Sequence, residues 1–500
     1  MKTTFFISLL FLLSGNLTAQ TNRLPEEIPC RITDGTNDNV MFMSLGNVKS
    51  GVTQGKFYPY NDKVELLDGT VITDYFKERL KVKYYKPLDK TYFPLPPSGW
   101  CSWYYYYQEI SSKEILLNAE WLAKNLLDYG AKYCQIDDGW QGTGHGSNAN
   151  RDWTTIDKRF PEGMQELAAK IKKTGLVPGL WLAPHGQSNS KVVQEWGNFL
   201  VDDSGKSASD TWEGNFLVDP THKNTPEYFK DMFSTLNKWG YEYYKIDGQT
   251  IVINEYKNKK RYMSDSTQEA AAAYRKTLTT IKETIGKERF LLGCWGLPME
   301  GAGIMDGSRT YADIILDWET GFMVAFNATM KYYYQHNILW YCDPDVMLLR
   351  YPLTIDMARA WATLQGLTGQ ALLASDKLPD LSDERVEILK RVFPAVDIRP
   401  IDLFEHRVAK NVWDLKINHL MKQYDVIGCF NLDRNKKEII HLDWKKLGLN
   451  GKQHVYDFWN KEYLGSWSDG YFTEVNPASC LVLKLVPQKE EPQLISTNRH

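Results

Sequence analysis

The sequence predicts an α/β protein, a (β/α)8 TIM barrel followed by a C-terminal antiparallel β-sandwich. Three observations predict it. From Gly99 onward, short apolar runs alternate with helix-length segments, the pattern of a parallel sheet with crossover helices. Several of those runs end in acids: residues 133–136 run into Asp137 and Asp138, 243–246 into Asp247, and 308–312 lead to Asp313. A carboxylate is almost never buried without a partner. A barrel supplies partners, because it gathers the C-terminal ends of its strands at one mouth, where the active site lies. Third, beyond about residue 401 the helix-length segments give way to short strands separated by turns, as in a sandwich.

In chain order, residues 1–19 read as a signal peptide: a charged Lys2, an apolar run over 5–13 and a small-residue exit at Leu17, Thr18 and Ala19. The chain is therefore expected to be secreted or periplasmic. The run is too short to span a bilayer, so no membrane insertion is expected. Residues 20–97 form an N-terminal segment with short strands, at 63–67 and 80–85, that ends in a proline-rich boundary at 93–98. The barrel occupies 98–398. Its strands are expected at 99–103, 132–136, 177–183, 241–246, 289–295, 312–316, 338–342 and 370–375. Helices are expected at 113–129, 161–174, 226–239, 267–285, 355–364 and 383–391, with a long excursion between strand three and its helix. A doubly wound open sheet usually has fewer strands and a glycine-rich phosphate turn, and the sequence has no such turn. The sandwich, 399–487, contains strands at 426–431, 437–441, 453–458 and 480–485, and 488–500 reads as a loose polar tail.

A formal net charge of −3 gives no field to recruit nucleic acid or an anionic membrane. Seven cysteines are too few and too scattered for a disulfide framework. Cys101, Cys134, Cys294 and Cys342 fall in expected strands, where a cysteine acts as a small buried apolar residue. Aromatic residues make up 13% of the chain, 17 of them Trp, which suits both a large core and the CH faces of sugars. No metal motif is present. His185 follows strand three without a His or Cys partner at ligand spacing, and reads as a pocket or surface residue.

The strand-end acids suit glycoside chemistry. Hydrolysis with retention needs two carboxyl groups about 5–5.5 Å apart, one to attack the anomeric carbon and one to protonate the leaving oxygen. Residues two apart on a strand share a side, so Lys245 and Asp247 both face the pocket, where the ammonium favours an ionised Asp247. Asp313 lies in a polar turn near Arg309, with Asp317 behind it. Plainer readings stand beside these. Asp247 could cap a following helix, Asp313 could make a simple ion pair, and Asp137 and Asp138 could be a cap and a turn residue before Gly139.

The motifs GWCSW (99–103), IDDGW (136–140), FPEGM (160–164) before Gly175 and Leu176, KID (245–247), RTYAD (309–313) and DPDVM (343–347) occur in that order. This set resembles the melibiase-type α-galactosidases and their raffinose-synthase-like relatives, over roughly 98–487. The resemblance implies that Asp247 is the nucleophile and Asp313 the acid/base. It implies that Asp137 and Asp138 bind galactose hydroxyls at carbons four and six with Lys245 beside them, that Arg309 reaches the hydroxyl at carbon two, and that Trp103 lines the pocket. Cys294 and Trp295 join the site at the end of strand five. No metal or cofactor is implied, and the expected partner is an α-galactoside oligosaccharide or glycan. Relatives carry an acid just after the cysteine of strand five, whereas here Cys294 is followed by Trp295, Gly296 and Leu297.

The expected function is a retaining exo-α-galactosidase. The nearest alternatives keep the machinery and change the sugar, to α-N-acetylgalactosamine or β-L-arabinopyranose, or transfer galactose to an acceptor. A catalytically silent carbohydrate-binding protein is a reading from another class, and the intact pair Asp247 and Asp313 argues against it.

Overall fold

The structure, a computed structural model, describes residues 22–33, 52–142, 151–209, 211–403, 411–419 and 422–496. The expected signal peptide at 1–19 lies outside the described residues.

Eight parallel strands make one sheet: β1 (Ser98–Cys101), β2 (Tyr133–Ile136), β3 (Val177–Leu182), β4 (Tyr243–Ile246), β5 (Phe290–Gly293), β6 (Gly307–Arg309), β7 (Tyr341–Asp343) and β8 (Leu372–Ala374). From β1 to β7 each strand pairs with the next in sequence, and β8 pairs with β1. Between β7 and β8 the ring is joined by Ala371 N donating to Cys342 O at 3.0 Å and by a bridge from Met347 to Ala374.

Strand parity divides the residues between two environments. On β4, Tyr243 packs inside the barrel with Tyr133, Phe290, Leu292 and Tyr341, whereas Tyr244 and Ile246 pack outward with the helices. Leu24, Leu88 and Phe93 of the N-terminal segment close this inner cluster at the N-terminal end of the strands. The far end is left to the inward positions that continue each strand, such as Asp137, Asp247 and Cys294.

The outer helices include α1 (Ser112–Leu126), α2 (Gly163–Lys173), α3 (Thr225–Trp239), α4 (Ala270–Ile285), α5 (Met323–Tyr332), α6 (Ile355–Thr368) and α7 (Asp383–Val392). Each of the longer ones buries a stripe at helical spacing, as Ile115, Ala119, Leu122 and Leu126 do on α1. Ser111 starts α1 by accepting from Glu114 N, and Thr354 starts α6 by accepting from Met357 N.

A four-stranded antiparallel sheet of the N-terminal segment, with Phe76 from the helical turn after it, packs Phe57 and Val64 against Ile338, Leu339 and Trp340 beside β7. After the barrel, a five-stranded antiparallel sheet faces a two-stranded one across a core of Ile427, Cys429, Ile440, Leu442, Trp444 and Leu483, a β-sandwich. All seven cysteines carry free thiols.

Three expectations need correction. The sixth strand is expected at 312–316, but β6 is Gly307–Arg309 and 312–316 is irregular, with Ile315 exposed. The apolar run drew the assignment onward. The true strand begins with a glycine packed close to its neighbours, where a Cβ would lie 2.8 Å from Leu292 Cδ1 and 3.0 Å from Phe290. Residues 80–85 form no strand; Val82 and Tyr85 instead fill the N-terminal core from a turn. His185 is neither a pocket nor a surface residue. It is fully buried, with Nε2 2.8 Å from Thr277 Oγ1 of α4 and rings of Phe229 and Tyr274 around it, and burial pushes its imidazole down to about 3.

Candidate active site

At the C-terminal end of the strands lies a cavity of about 210 Å3 lined by Trp103, Gln108, Asp137, Asp138, Arg151, Trp181, Trp212, Lys245, Asp247, Trp295 and Asp313. Seven of the nine expected site residues are in this lining. Arg309 and Cys294 are buried and are not in it.

Asp137 and Lys245 form a buried pair, with Nζ donating to Oδ2 at 2.9 Å. Gln135 Nε2 donates to the same oxygen at 2.8 Å, and Asp138 N donates to Oδ1 at 2.9 Å. Burial pushes the Asp137 carboxyl up, but the Lys245 charge and these donors outweigh it, and the net direction is down. Burial works against the Lys245 ammonium, yet Asp137 holds its pKa well above the ordinary value. Lys245 is thus the hydrogen-bond partner of Asp137 rather than of Asp247. Asp138 accepts from Gln141 Nε2 at 2.7 Å on Oδ1, and on Oδ2 from Gln108 Nε2 at 2.9 Å and Arg151 Nη1 at 3.0 Å.

Asp247 follows β4 directly. Trp181 Nε1 donates to its Oδ2 at 2.9 Å and Gly248 N to its Oδ1 at 2.7 Å. The next helix, Gln249–Asn258, is preceded by Gly248 and has no side-chain cap, so Asp247 is free of the capping role. Burial raises its pKa above the usual carboxylate value, with Lys245 and the Trp181 donor pulling the other way.

Asp313 is 47% exposed in the loop after β6, and Arg309 Nη1 lies 3.0 Å from its Oδ1. The plain ion pair therefore exists. Arg309 is not given over to it, because its Nη1 also lies 2.7 Å from Asp345 Oδ2 and its Nε 3.6 Å from Asp343 Oδ2. The register explains this cluster: Arg309 pairs with Asp343 across β6 and β7, so both point inward. The Asp345 carboxyl, which also accepts from Tyr104 Oη and Ile314 N, is pushed up to about 6 by burial, against the pull of Arg309. Asp317 is bound into its own turn, accepting from Glu319 N at 2.8 Å and Thr320 N at 3.0 Å.

Sequence reading missed Gln108, Arg151, Trp181 and Trp212. Trp181 was within reach, since strand parity puts it on the inward side of β3, opposite Lys245 in register. Trp212 comes from the long excursion after β3, and a long loop at the C-terminal end of a barrel strand is itself a signal of site residues.

Glu213, from the same excursion, was also missed. It is fully buried behind Asp247, with Oε2 2.9 Å from Thr211 Oγ1. Gly248, at φ +78°, accommodates it, because a Cβ there would come within 1.8 Å of Glu213 Oε1. Burial pushes Glu213 up to about 8; Asp247 and Glu255 add to the rise, while Thr211 and Arg151 oppose it. The folded state therefore holds this proton far more tightly than the unfolded chain. Its stabilising effect is full below the ordinary glutamate range and is lost as pH rises towards 8. Glu213→Gln should remove that slope. Relative to the parent, the variant should gain on the order of 4 kcal/mol between pH 5 and pH 8. Chemical denaturation at the two pH values measures it, and a pH-independent difference would contradict the assignment.

Residues 72–294 match the family model described as Melibiase. The chain carries a melibiase-type domain. In sequence the chain is similar to proteins named α-galactosidase. It is 25% identical over 305 residues to a protein named probable α-galactosidase B of Aspergillus oryzae, covering 59% of this chain and 67% of the relative. It is 28% identical over 118 residues to α-galactosidase 1 of Pediococcus pentosaceus, covering 23% of this chain and only 15% of that enzyme's length. Among solved structures, a GH27 β-L-arabinopyranosidase from Geobacillus stearothermophilus superposes with a TM-score of 0.63 at 20% identity, covering 79% of this chain and 98% of that one. That likeness is one of fold.

Proposed function

We propose that the protein is a retaining exo-α-galactosidase in which Asp247 is the nucleophile and Asp313 the acid/base. The observation that carries the reading is that these two carboxyls line one cavity with the Asp137 and Asp138 pair. Asp313 is at the exposed side and Asp137 and Asp138 are at the buried side, which suits a terminal sugar entering glycone first.

In this mechanism Asp247 attacks the anomeric carbon while Asp313 gives a proton to the leaving oxygen. Trp181 Nε1–H and Gly248 N–H fix the attacking carboxylate without neutralising it. Asp313, now ionised, takes a proton from water, which displaces Asp247 and restores the starting configuration. Arg309, held by Asp343 and Asp345, keeps a positive charge beside Asp313 throughout. The substrate class is α-galactoside oligosaccharide or glycan. Secretion is proposed from the signal-like residues 1–19; among the described residues no helix is long and apolar enough to cross a membrane.

A second reading, β-L-arabinopyranosidase activity, is favoured by one observation. Asp138 already accepts from Gln108, Gln141 and Arg151, which leaves it little capacity for a hydroxyl at carbon six, the group that arabinopyranose lacks. A panel of aryl α- and β-glycosides decides between them, with the anomer of the first-formed product read by NMR. The galactose reading expects the α-galactoside to be turned over much faster than the α-glucoside, whose fourth hydroxyl points away. On the galactose reading, in which Asp138 receives the fourth hydroxyl, Asp138→Asn should reduce that preference by about tenfold, since a charged acceptor becomes a weaker neutral one. Preference for α-glucoside, or for a sugar N-acetylated at carbon two, would reject galactose; an inverted first product would reject retention.

A further inference from the structure

Two tryptophans at the open side of the cavity have no part in the mechanism above. Trp295, which lines the cavity, is 43% exposed. Its backbone is at φ +69°, a left-handed conformation that side-chain-bearing residues avoid and that bulky ones adopt under constraint. Gly296 follows at φ +80°, and Thr250 Oγ1 fixes the turn by donating to Trp295 O at 2.8 Å. Strain of this kind persists only where the surroundings over-determine it, and it gathers at ligand clamps.

The ring is not displayed alone. Trp212 lies 5.5 Å from Trp295, centroid to centroid, tilted by 40°. Behind Trp212, the Arg151 guanidinium is 5.2 Å from its ring and 5.0 Å from the ring of Trp181. The stack therefore runs from Trp181, the donor to Asp247, through Arg151 and Trp212 to Trp295 at the mouth. Arg151 is itself fixed by Asp138 and by donating Nε–H to Trp212 O at 3.1 Å. A ladder anchored at the floor holds the outermost ring rigid. Rigid aromatic faces bind flat, weakly polar rings at low entropic cost.

Resting on the proposed function, we infer that Trp212 and Trp295 form a leaving-group subsite that takes the face of a ring, either the apolar face of a second sugar or an aryl group. Trp295 and Asp313 are the exposed members of the cavity lining. A leaving group protonated by Asp313 must depart through that side, past the tryptophan lip.

The test compares two substrates with the same sugar. In α-galactosyl fluoride the leaving group is one atom and cannot reach the lip; in phenyl α-galactoside it is a ring. Intrinsic reactivity cancels when each variant is referred to the parent. Trp295→Ala should lower the phenyl-to-fluoride ratio of kcat/KM about tenfold, and Trp295→Phe should recover most of it. Trp212→Ala, which leaves the strained turn untouched, should lower the same ratio. Melibiose in place of the phenyl galactoside distinguishes a sugar ring from an aryl ring. An unchanged ratio in both alanine variants, or equal losses on fluoride and phenyl substrate, overturns the inference and assigns the rings to the glycone. If the parent hydrolyses no α-galactoside, the proposed function fails by itself, and the same pair is made with the sugar that the panel selects.

Discussion

Replacing Asp247 with alanine is expected to lower kcat/KM on aryl α-galactosides by on the order of 10^4-fold or more, because the proposed mechanism forms its covalent intermediate on this carboxylate. Azide should restore part of the activity. The deletion opens space on one face of the anomeric carbon, and a small anion can attack from there. The rescued glycosyl azide should have inverted configuration, since a single displacement remains. The local structure should survive the change. Trp181 loses one acceptor for its Nε1–H, while Lys245 keeps Asp137 and the β4 ladder to β3 and β5 is untouched. The pH profile of the parent provides a second reading. Burial raises Asp247 above the usual carboxylate range, so the acid limb of kcat/KM should fall at a higher pH than for an exposed aspartate. Near-native turnover by the alanine variant, or rescue with retained configuration, would reject Asp247 as nucleophile.

Much of this arrangement was legible in the sequence because strand parity carries it. Lys245 and Asp247, and Asp137 two residues beyond Gln135, point inward for the same period-two reason that sends Tyr244 and Ile246 out to the helices. The alternation of strand and helix was legible too, since a buried parallel strand is an apolar run and its helix carries an apolar stripe. β6 escaped because it is three residues long and begins at a glycine, so its sequence resembles a turn. Partner choice was not legible. Lys245 faces both Asp137 and Asp247, and only the order of the ring, with β3 between β2 and β4, decides that Asp137 takes the hydrogen bond. Arg151, Trp212 and Glu213 come from irregular segments, where no periodicity indicates a direction. Their roles depend on the path of a loop over the mouth rather than on local pattern.

Replacing Asp313 with alanine should separate protonation from attack. Aryl galactosides with good leaving groups need little help from an acid and should keep most of their first-step rate. Alkyl galactosides and oligosaccharides should lose about 10^2- to 10^4-fold, the usual contribution of a positioned general acid. A plot of log kcat/KM against leaving-group pKa should therefore steepen, and the alkaline limb of the pH profile should flatten. The fold should tolerate the change, because Arg309 retains Asp345 at 2.7 Å and is not left as an uncompensated buried charge. Equal losses on good and poor leaving groups would point to another acid. Asp317 is a weak candidate, since backbone donors in its own turn hold its carboxyl below the usual range. Asp345 is the stronger one. It is buried in contact with Arg309, the partner of Asp313, and it is pushed up to about 6. Asp345→Asn would then show the leaving-group dependence that Asp313→Ala lacked, whereas if Asp313 is the acid it should instead disturb Arg309 and depress all substrates alike.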